Sequence, residues 1–167
     1  IKMKKNLLTL ALALIMSLTM SARNEAEVAG AKFGSSYEEA LITLKTKFGE
    51  PSVKAENQLV FLNKSFEGFK ADRVEVGFQT LRDASLLNQA RFYFFCPNKA
   101  AAVTKMKALA KRMESNYTVS YDEENGGTAF YKGGCSPLGI GNLFTIFVSP
   151  YQGKWTCQLR YGKFLFK

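Results

Sequence analysis

The sequence predicts an α+β domain in which two amphipathic helices cover one antiparallel sheet of about seven strands. Two observations lead to this prediction: two apolar stripes at helical spacing, and a series of short alternating strands separated by turn residues. The elements are predicted in the order α-βββ-α-ββββ. A helix followed by a strand meander therefore occurs twice, which suggests two related halves, although no residue-level repeat accompanies the recurrence.

The first helix is predicted from its capping residues and its apolar period. Ser35 and Ser36 are N-cap candidates, and each has a glutamate three residues later, which is the spacing of a capping box. Gly49, followed by Pro51, ends the helix. Between these signals the apolar residues recur at helical spacing: Tyr37, Leu41, Leu44 and Phe48.

The second helix is predicted to begin after Pro97 and Asn98, because an apolar stripe follows with basic residues lying off it. The Asn-Gly pair at 125–126 is typical of a tight hairpin, and the residues 150–153 have the composition of another turn. Alternation of apolar and polar residues predicts strands at 58–63, 72–79, 89–96, 117–123, 128–132, 142–149 and 154–161.

Residues 1–22 have the pattern of a secretory signal peptide. Basic residues precede an apolar run from Leu7 to Met20, and Ser21 and Ala22 follow as small residues before the charged Arg23. The run is shorter than the roughly 20 apolar residues of a membrane span. We therefore expect cleavage after Ala22 or a few residues later, and a periplasmic or secreted product without a membrane span. Residues 23–34 are predicted to be a flexible lead-in, and residues 35–167 a single domain.

The charge of the chain argues against nucleic acid as a partner. Three of the 23 basic residues lie in the predicted signal peptide, which leaves 20 against 14 acidic residues and a net charge of +6 instead of +9. The remaining basic residues are spread along the chain, without the block of like charges that marks a nucleic-acid-binding arm. Alternating basic and aromatic residues also resemble a single-strand nucleic-acid platform, but export makes such a target unexpected.

Three cysteines in an exported chain allow one disulfide and leave one thiol. All three pairings of Cys96, Cys135 and Cys157 are open, as is the reduced state of all three. The pairing of Cys135 with Cys157 is favoured, because Cys135 lies in a glycine-rich segment and Cys157 on the apolar side of a nearby strand.

The chain contains no histidine, which excludes the usual forms of Ser-His-Asp and Cys-His hydrolases. No pair of cysteines has the close spacing of a zinc site, and the glycines do not form a phosphate-binding loop. We therefore expect neither a metal nor a cofactor, and a protein that is not an enzyme.

The remaining catalytic candidate is Cys135, whose thiolate Lys132 would have to stabilise. A thiol-dependent enzyme or redox protein is accordingly an alternative function. Adjacent carboxylates occur at 38–39 and 122–124, and we expect them to serve in helix capping and at a solvated hairpin end, respectively.

Aromatic residues make up 13% of the chain, more than one face of a small sheet requires. In the segment 91–95, Phe92 and Phe94 alternate with Tyr93 and Phe95, so both faces of this strand carry rings. Most rings are expected in the core. A sheet face with exposed rings and arginines would suit recognition of a protein or envelope component, because these residues dominate interface hot spots. The residues predicted for this binding face are Arg91, Tyr93, Phe95, Trp155 and Arg160. Carriage of a lipid or hydrophobic ligand between sheet and helices is a further alternative.

The run from Phe33 to Ala40, closed by Phe48-Gly49-Glu50-Pro51, resembles small exported α+β proteins of unassigned function from Gram-negative anaerobes. More distantly, it is similar to outer-membrane assembly lipoproteins of the SmpA type and to β-lactamase-inhibitor-like domains. The similarity covers residues 33–80, and this chain lacks the lipidated cysteine of the lipoproteins. The resemblance implies a binding or scaffolding role in the cell envelope and supplies no catalytic residues.

Overall fold

The structure is a computed structural model that describes residues 26–124 and 128–167. These residues form two helices, α1 (Tyr37–Phe48) and α2 (Lys99–Met113). They also form ten strands: β1 (Glu27–Val28), β2 (Ala31–Lys32), β3 (Val53–Ala55), β4 (Gln58–Phe66), β5 (Phe69–Leu81), β6 (Ala84–Cys96), β7 (Val119–Glu124), β8 (Thr128–Gly133), β9 (Phe144–Tyr151) and β10 (Lys154–Tyr161). The predicted α+β class with two helices and an antiparallel sheet is confirmed.

Eight of the strands form one antiparallel sheet in the order β3-β4-β5-β6-β10-β9-β8-β7. Each half of the sheet is a four-stranded meander that follows one helix along the chain, α1 before β3–β6 and α2 before β7–β10. The two meanders meet at their last strands, which pair from Cys96 opposite Trp155 to Ala90 opposite Tyr161. The recurrence of helix and meander noted in the sequence is therefore present in the topology.

Both helices pack on the same face of the sheet. Their buried residues share one core cluster with alternating residues of β4, β5, β6, β9 and β10. The ring of Phe48 in α1 lies 5.4 Å from that of Phe61 and 6.3 Å from that of Phe92, between ring centroids. Phe92 also stacks on Phe66 at 4.2 Å. Most aromatic residues of the helix side are thus core residues, each pair adding about 0.5–1.5 kcal/mol beyond its buried area.

The N-terminus of α1 is capped as the sequence predicts. The Ser36 hydroxyl accepts a hydrogen bond from the Glu39 backbone amide, and the Glu39 carboxylate accepts one from the Ser36 amide, at 3.4 and 3.0 Å. This capping box lowers the pKa of Glu39, since both the amide and the hydroxyl of Ser36 favour the ionised carboxylate. Gly49 ends the helix with φ 77°. The Glu39 carboxylate therefore has a structural role in capping the helix.

A flexible lead-in was predicted at 23–34, and the structure corrects this prediction for its described part, residues 26–34. Residues 27–32 form a two-stranded hairpin, and Val28, Ala31 and Phe33 are buried. The ring of Phe33 lies 4.8 Å from that of Phe164, between centroids. Strands of two residues are too short to show a period, which explains why they were not predicted.

Three further differences concern the strands. The sheet has eight strands instead of about seven, because the exposed edge strand β3 was not predicted. β5 and β6 extend beyond the predicted bounds. The predicted four-residue turn at 150–153 is a two-residue turn, with positive φ at Gln152 and Gly153, so Pro150 and Tyr151 belong to β9. The predicted Asn-Gly turn at 125–126 lies outside the described residues.

A bulge in the β5–β6 hairpin shapes one end of the sheet. Gly77 pairs with Gln89 and Phe78 with Leu87, so Asn88 is an extra residue in β6. Its buried side chain donates a hydrogen bond from Nδ2 to the Phe164 carbonyl at 3.1 Å, which ties the C-terminal segment to the sheet. Gln89 lies over Gly77, where the Cβ of any other residue would clash with the Gln89 carboxamide.

The predicted signal peptide lies outside the described residues. Within the part of the chain that the structure describes, no helix has the length and apolar character to cross a membrane.

The packing of α1 predicts a contrast between two neighbouring substitutions. Leu44 is fully buried, whereas Ile42 is 67% exposed. We expect Leu44→Ala to lower the free energy of unfolding by about 3 kcal/mol, because it leaves a cavity in the core. Ile42→Ala should change it by less than about 0.5 kcal/mol. Urea denaturation of both variants measures the difference, and equal effects would contradict the orientation of α1.

Candidate functional site

The face of the sheet opposite both helices is here called the open face. The strand register arranges its side chains in rows that cross β5, β6, β10 and β9. One row consists of Arg73, Tyr93, Gln158 and Phe147, and the next consists of Glu75, Arg91, Arg160 and Thr145. Both helices lie on the other face of the sheet, because the buried residues of α1 and α2 pack against the alternate residues of the same strands. The open face continues with Phe95, Phe130, Lys132, Tyr151 and Lys154.

Glu75 is the centre of a hydrogen-bonded cluster on the open face. Its carboxylate accepts from Arg73 Nε at 2.6 Å, from the Tyr93 hydroxyl at 3.0 Å and from the Tyr151 hydroxyl at 3.4 Å. Arg91 Nη1 in turn donates to the Tyr93 hydroxyl at 3.4 Å. The carboxylate is therefore held by three donors from three strands, and we call these five residues the Glu75 cluster.

Tyr151 reaches across the sheet to complete this cluster. It belongs to β9, yet its ring lies 4.2 Å from that of Tyr93 in β6, between centroids. Since β10 lies between β9 and β6, the Tyr151 side chain must pass over β10. The underlying Thr156 and Gln158 of β10 are buried, as is Tyr93. The centre of the open face is thus a layer of side chains in a fixed arrangement.

The cluster changes the ionisation of its members. Burial raises the pKa of Tyr93 to about 12; the hydrogen bond from Arg91 opposes this shift, and the charge of Glu75 adds to it. Burial tends to lower the pKa of Arg73, but the hydrogen bond and charge of Glu75 outweigh it and raise that pKa. At neutral pH Tyr93 is accordingly a neutral hydrogen-bonding group and Arg73 a cation. The cluster thus holds its side chains in place through hydrogen bonds.

Basic groups lie against aromatic rings on both sides of the cluster. The guanidinium carbon of Arg160 is 5.6 Å from the ring centroid of Phe147, and the Lys154 ammonium is 5.3 Å from that of Phe95. Arg91 lies 5.9 Å from the Tyr93 ring. Such cation–π contacts contribute about 0.5–1 kcal/mol at exposed sites. They also hold the cations beside aromatic rings, and binding hot spots likewise combine arginine with aromatic residues.

The structure brings four of the five predicted binding residues together. Arg91, Tyr93, Phe95 and Arg160 all lie on the open face. Trp155 has the opposite orientation, because its position alternates with Lys154 and Thr156, and its ring contacts Lys99 of α2 at 5.6 Å. Trp155 therefore lies at the helix side of the sheet and does not belong with the other four.

Glu75 and Tyr151 were not predicted for the site. The alternation in β5 predicted that Arg73 and Glu75 lie on the polar face of the sheet, but it did not identify either residue as part of a site. Tyr151 was assigned to a turn, and only the extension of β9 places it over the sheet. The hydrogen bond between Tyr151 and Glu75 joins β9 to β5, which are distant in sequence, so no local pattern reveals it.

The three cysteines are free in the structure, which does not contain the predicted bridge between Cys135 and Cys157. Cys135 lies two residues after Gly133, which pairs with Phe144, and Phe144 pairs with Tyr161, four residues beyond Cys157. Strand spacing therefore places Gly133 about 13 Å along the strands and about 10 Å across them from Cys157. The two further residues to Cys135 span at most about 7 Å, so the Cα atoms of the two cysteines are at least about 9 Å apart. A disulfide requires Cα atoms within roughly 7 Å.

Cys135 is exposed and lines an open cavity of about 550 Å³ beside Lys132 and Tyr117. The Lys132 ammonium, proposed from the sequence as the group that would stabilise a thiolate, binds the Asp122 carboxylate at 2.6 Å. Among the described residues no three side chains of the metal-ligating types cluster. The cavity thus offers one exposed thiol, and no base among residues 26–124 and 128–167 is hydrogen-bonded to it.

Thiol reactivity should follow the position of each cysteine. Cys135 is exposed, whereas Cys157 is fully buried under α2, and burial, with a smaller contribution from the nearby Cys96, raises the pKa of Cys157 to about 12. We expect Ellman's reagent to label Cys135 rapidly in the native protein and Cys157 only after unfolding. The rapid phase should disappear in Cys135→Ser and remain in Cys157→Ser. Loss of that phase in Cys157→Ser would contradict the assignment.

Comparison of the chain with protein-family models, with curated proteins and with solved structures found no significant match.

Proposed function

We propose that the protein is a non-enzymatic, exported domain that binds a protein or another component of the cell envelope through the open face of its sheet. The observation that carries this proposal is the one-sided architecture: both helices cover one face, and the other holds an ordered layer of arginines and rings. Export is proposed from the signal-peptide pattern of residues 1–22 alone.

The composition of the open face supports binding. Phe95, Phe147 and Tyr151 are partly exposed, and each lies beside a charged or hydrogen-bonding side chain. Binding surfaces combine such rings with arginine, since the rings supply apolar area and arginine supplies directed hydrogen bonds. The Glu75 cluster fixes Tyr93 and Tyr151 in advance, which lowers the entropy lost on binding.

The two alternative functions have less support. A thiol-dependent enzyme needs a group that activates Cys135, and Lys132 is engaged with Asp122. A lipid carrier needs an apolar cavity between the helices and the sheet, where Phe48, Phe66 and Phe92 are closely packed. The cavity of about 340 Å³ beside Phe66 and Tyr161 is also lined by the charged Glu27, Lys47 and Glu67, which does not suit a lipid. Neither alternative explains the ordered residues of the open face.

The proposal is tested by affinity capture from envelope extracts with variants of the two surfaces. The protein is recovered from cells that express the full chain and immobilised, and bound proteins are identified by mass spectrometry. We expect Phe95→Ser and Phe147→Ser, which remove rings of the open face, to weaken a specific interaction at least tenfold. Such a loss corresponds to about 1.4 kcal/mol or more, as expected for hot-spot residues.

Matched controls remove exposed apolar side chains elsewhere. Ile42→Ser lies on α1, and Ile140→Ser in the segment before β9, where the side chain is 87% exposed. Both should retain the interaction, and circular dichroism should show all four variants folded. Capture that is insensitive to the open-face variants, or that is lost equally in the controls, would rule out the open face as the binding surface.

A further inference from the structure

We infer that Arg91 and Arg160 form a carboxylate-binding subsite, which receives acidic side chains from a segment of the partner protein. This inference rests on the proposed function and names the chemistry of its partner. Three observations support it. Arg91 and Arg160 pair directly at the centre of the sheet, the neighbouring Glu75 carboxylate is already hydrogen-bonded by other residues, and a small recess adjoins the two arginines.

Arg91 and Arg160 are directly opposite each other in the β6–β10 pair. Residues in such positions have Cβ atoms about 5 Å apart, and like charges there are destabilising. Among the residues that the structure describes, no carboxylate forms an ion pair with either guanidinium. Two cations are therefore adjacent, and within the described residues neither is in an ion pair with a carboxylate.

The nearest candidate for that role is Glu75, which lies opposite Arg91 on its other side. Its carboxylate is already held by Arg73, Tyr93 and Tyr151. Arg91 instead donates to the Tyr93 hydroxyl, and Arg160 is exposed above the Phe147 ring. Both arginines therefore retain guanidinium donors for an external carboxylate, and arginine binds carboxylates through two parallel hydrogen bonds.

A recess adjoins the pair. A cavity of about 180 Å³ is lined by Arg91, Arg160 and Glu75 together with Gln58, Gln89 and Gly77. The absence of a side chain at Gly77 allows Gln89 to lie over β5, so carboxamides join the guanidiniums as polar groups of the wall. The recess is polar, small and positively charged on one side, which suits one acidic side chain.

The shape of the site favours a protein segment over a membrane. Arg91 is only partly exposed and lies within the recess, so its ligand must protrude from its own surface. An aspartate or glutamate side chain does so, and its neighbours on the segment would reach the rings of Phe95 and Phe147. A flat anionic membrane would meet the exposed Arg160 and Lys154 before it reached Arg91.

A displayed library of random 12-residue peptides tests the inference with a defined probe. The protein recovered from cells that express the full chain is used for selection, and affinities are measured by fluorescence anisotropy. We expect selected peptides to be enriched in Asp and Glu and to bind at least tenfold more weakly to Arg91→Gln and to Arg160→Gln. Lys107→Gln and Lys111→Gln remove the same charge from the exposed side of α2 and should leave binding unchanged.

A stability measurement separates loss of the subsite from loss of the fold. Arg160→Gln removes the repulsion with Arg91 and also the contact with the Phe147 ring, and because these two effects oppose each other, this variant should unfold at about the same temperature as the unmodified protein. A folded Arg160→Gln protein that binds acidic peptides with unchanged affinity would overturn the inference.

The remaining outcomes distinguish this inference from the proposed function. Selected peptides without acidic enrichment that still depend on Phe95 and Phe147 would overturn the subsite and retain the open face. Peptides insensitive to every open-face variant would overturn both. Arginine-dependent binding to vesicles of phosphatidylcholine and phosphatidylglycerol, without selection of acidic peptides, would overturn the subsite and identify a membrane as the partner.

Discussion

The antiparallel pairing of β6 with β10 is the interaction on which the rest of the structure depends. Among the described residues it is the strand pair that joins the two meanders into one sheet, and each strand of the pair contributes to both faces of the sheet. On the helix side Phe92 pairs with Leu159, and both are buried. On the other side Arg91 pairs with Arg160. A register shift of one residue in either strand would exchange these sets, so burial of the core fixes the arrangement of the open face.

This coupling explains how a small domain presents an ordered polar surface. Polar groups on an uncovered sheet face normally move in solvent, because no packing restricts them. Here Tyr151 passes over β10 and hydrogen-bonds to Glu75, which also binds Arg73 and Tyr93. The side chains that hold the centre of the face come from β5, β6 and β9, so the face keeps its arrangement only while the two halves stay joined.

Much of the fold was predictable from the sequence because its signals are local. The capping box at Ser36, the stripe of α2 and the alternation in β10 lie within single elements and report which residues face the core. The short strands β1, β2 and β3 were missed because two or three residues show no period. Four residues of the open face were predicted from alternation and composition, whereas Trp155 was placed with them against its own alternation. The role of Glu75 depends on contacts between distant strands, and these require the order of the whole sheet.

The central claim is that the open face binds a partner, and site-specific photocrosslinking in the intact cell tests it most directly. The photoreactive amino acid p-benzoylphenylalanine is introduced at position 147 on the open face, and separately at position 42 on the exposed side of α1. Cells that express the full chain are irradiated, and adducts are identified by mass spectrometry. The account predicts a discrete adduct from position 147 and none from position 42. An adduct from position 42 alone would contradict it.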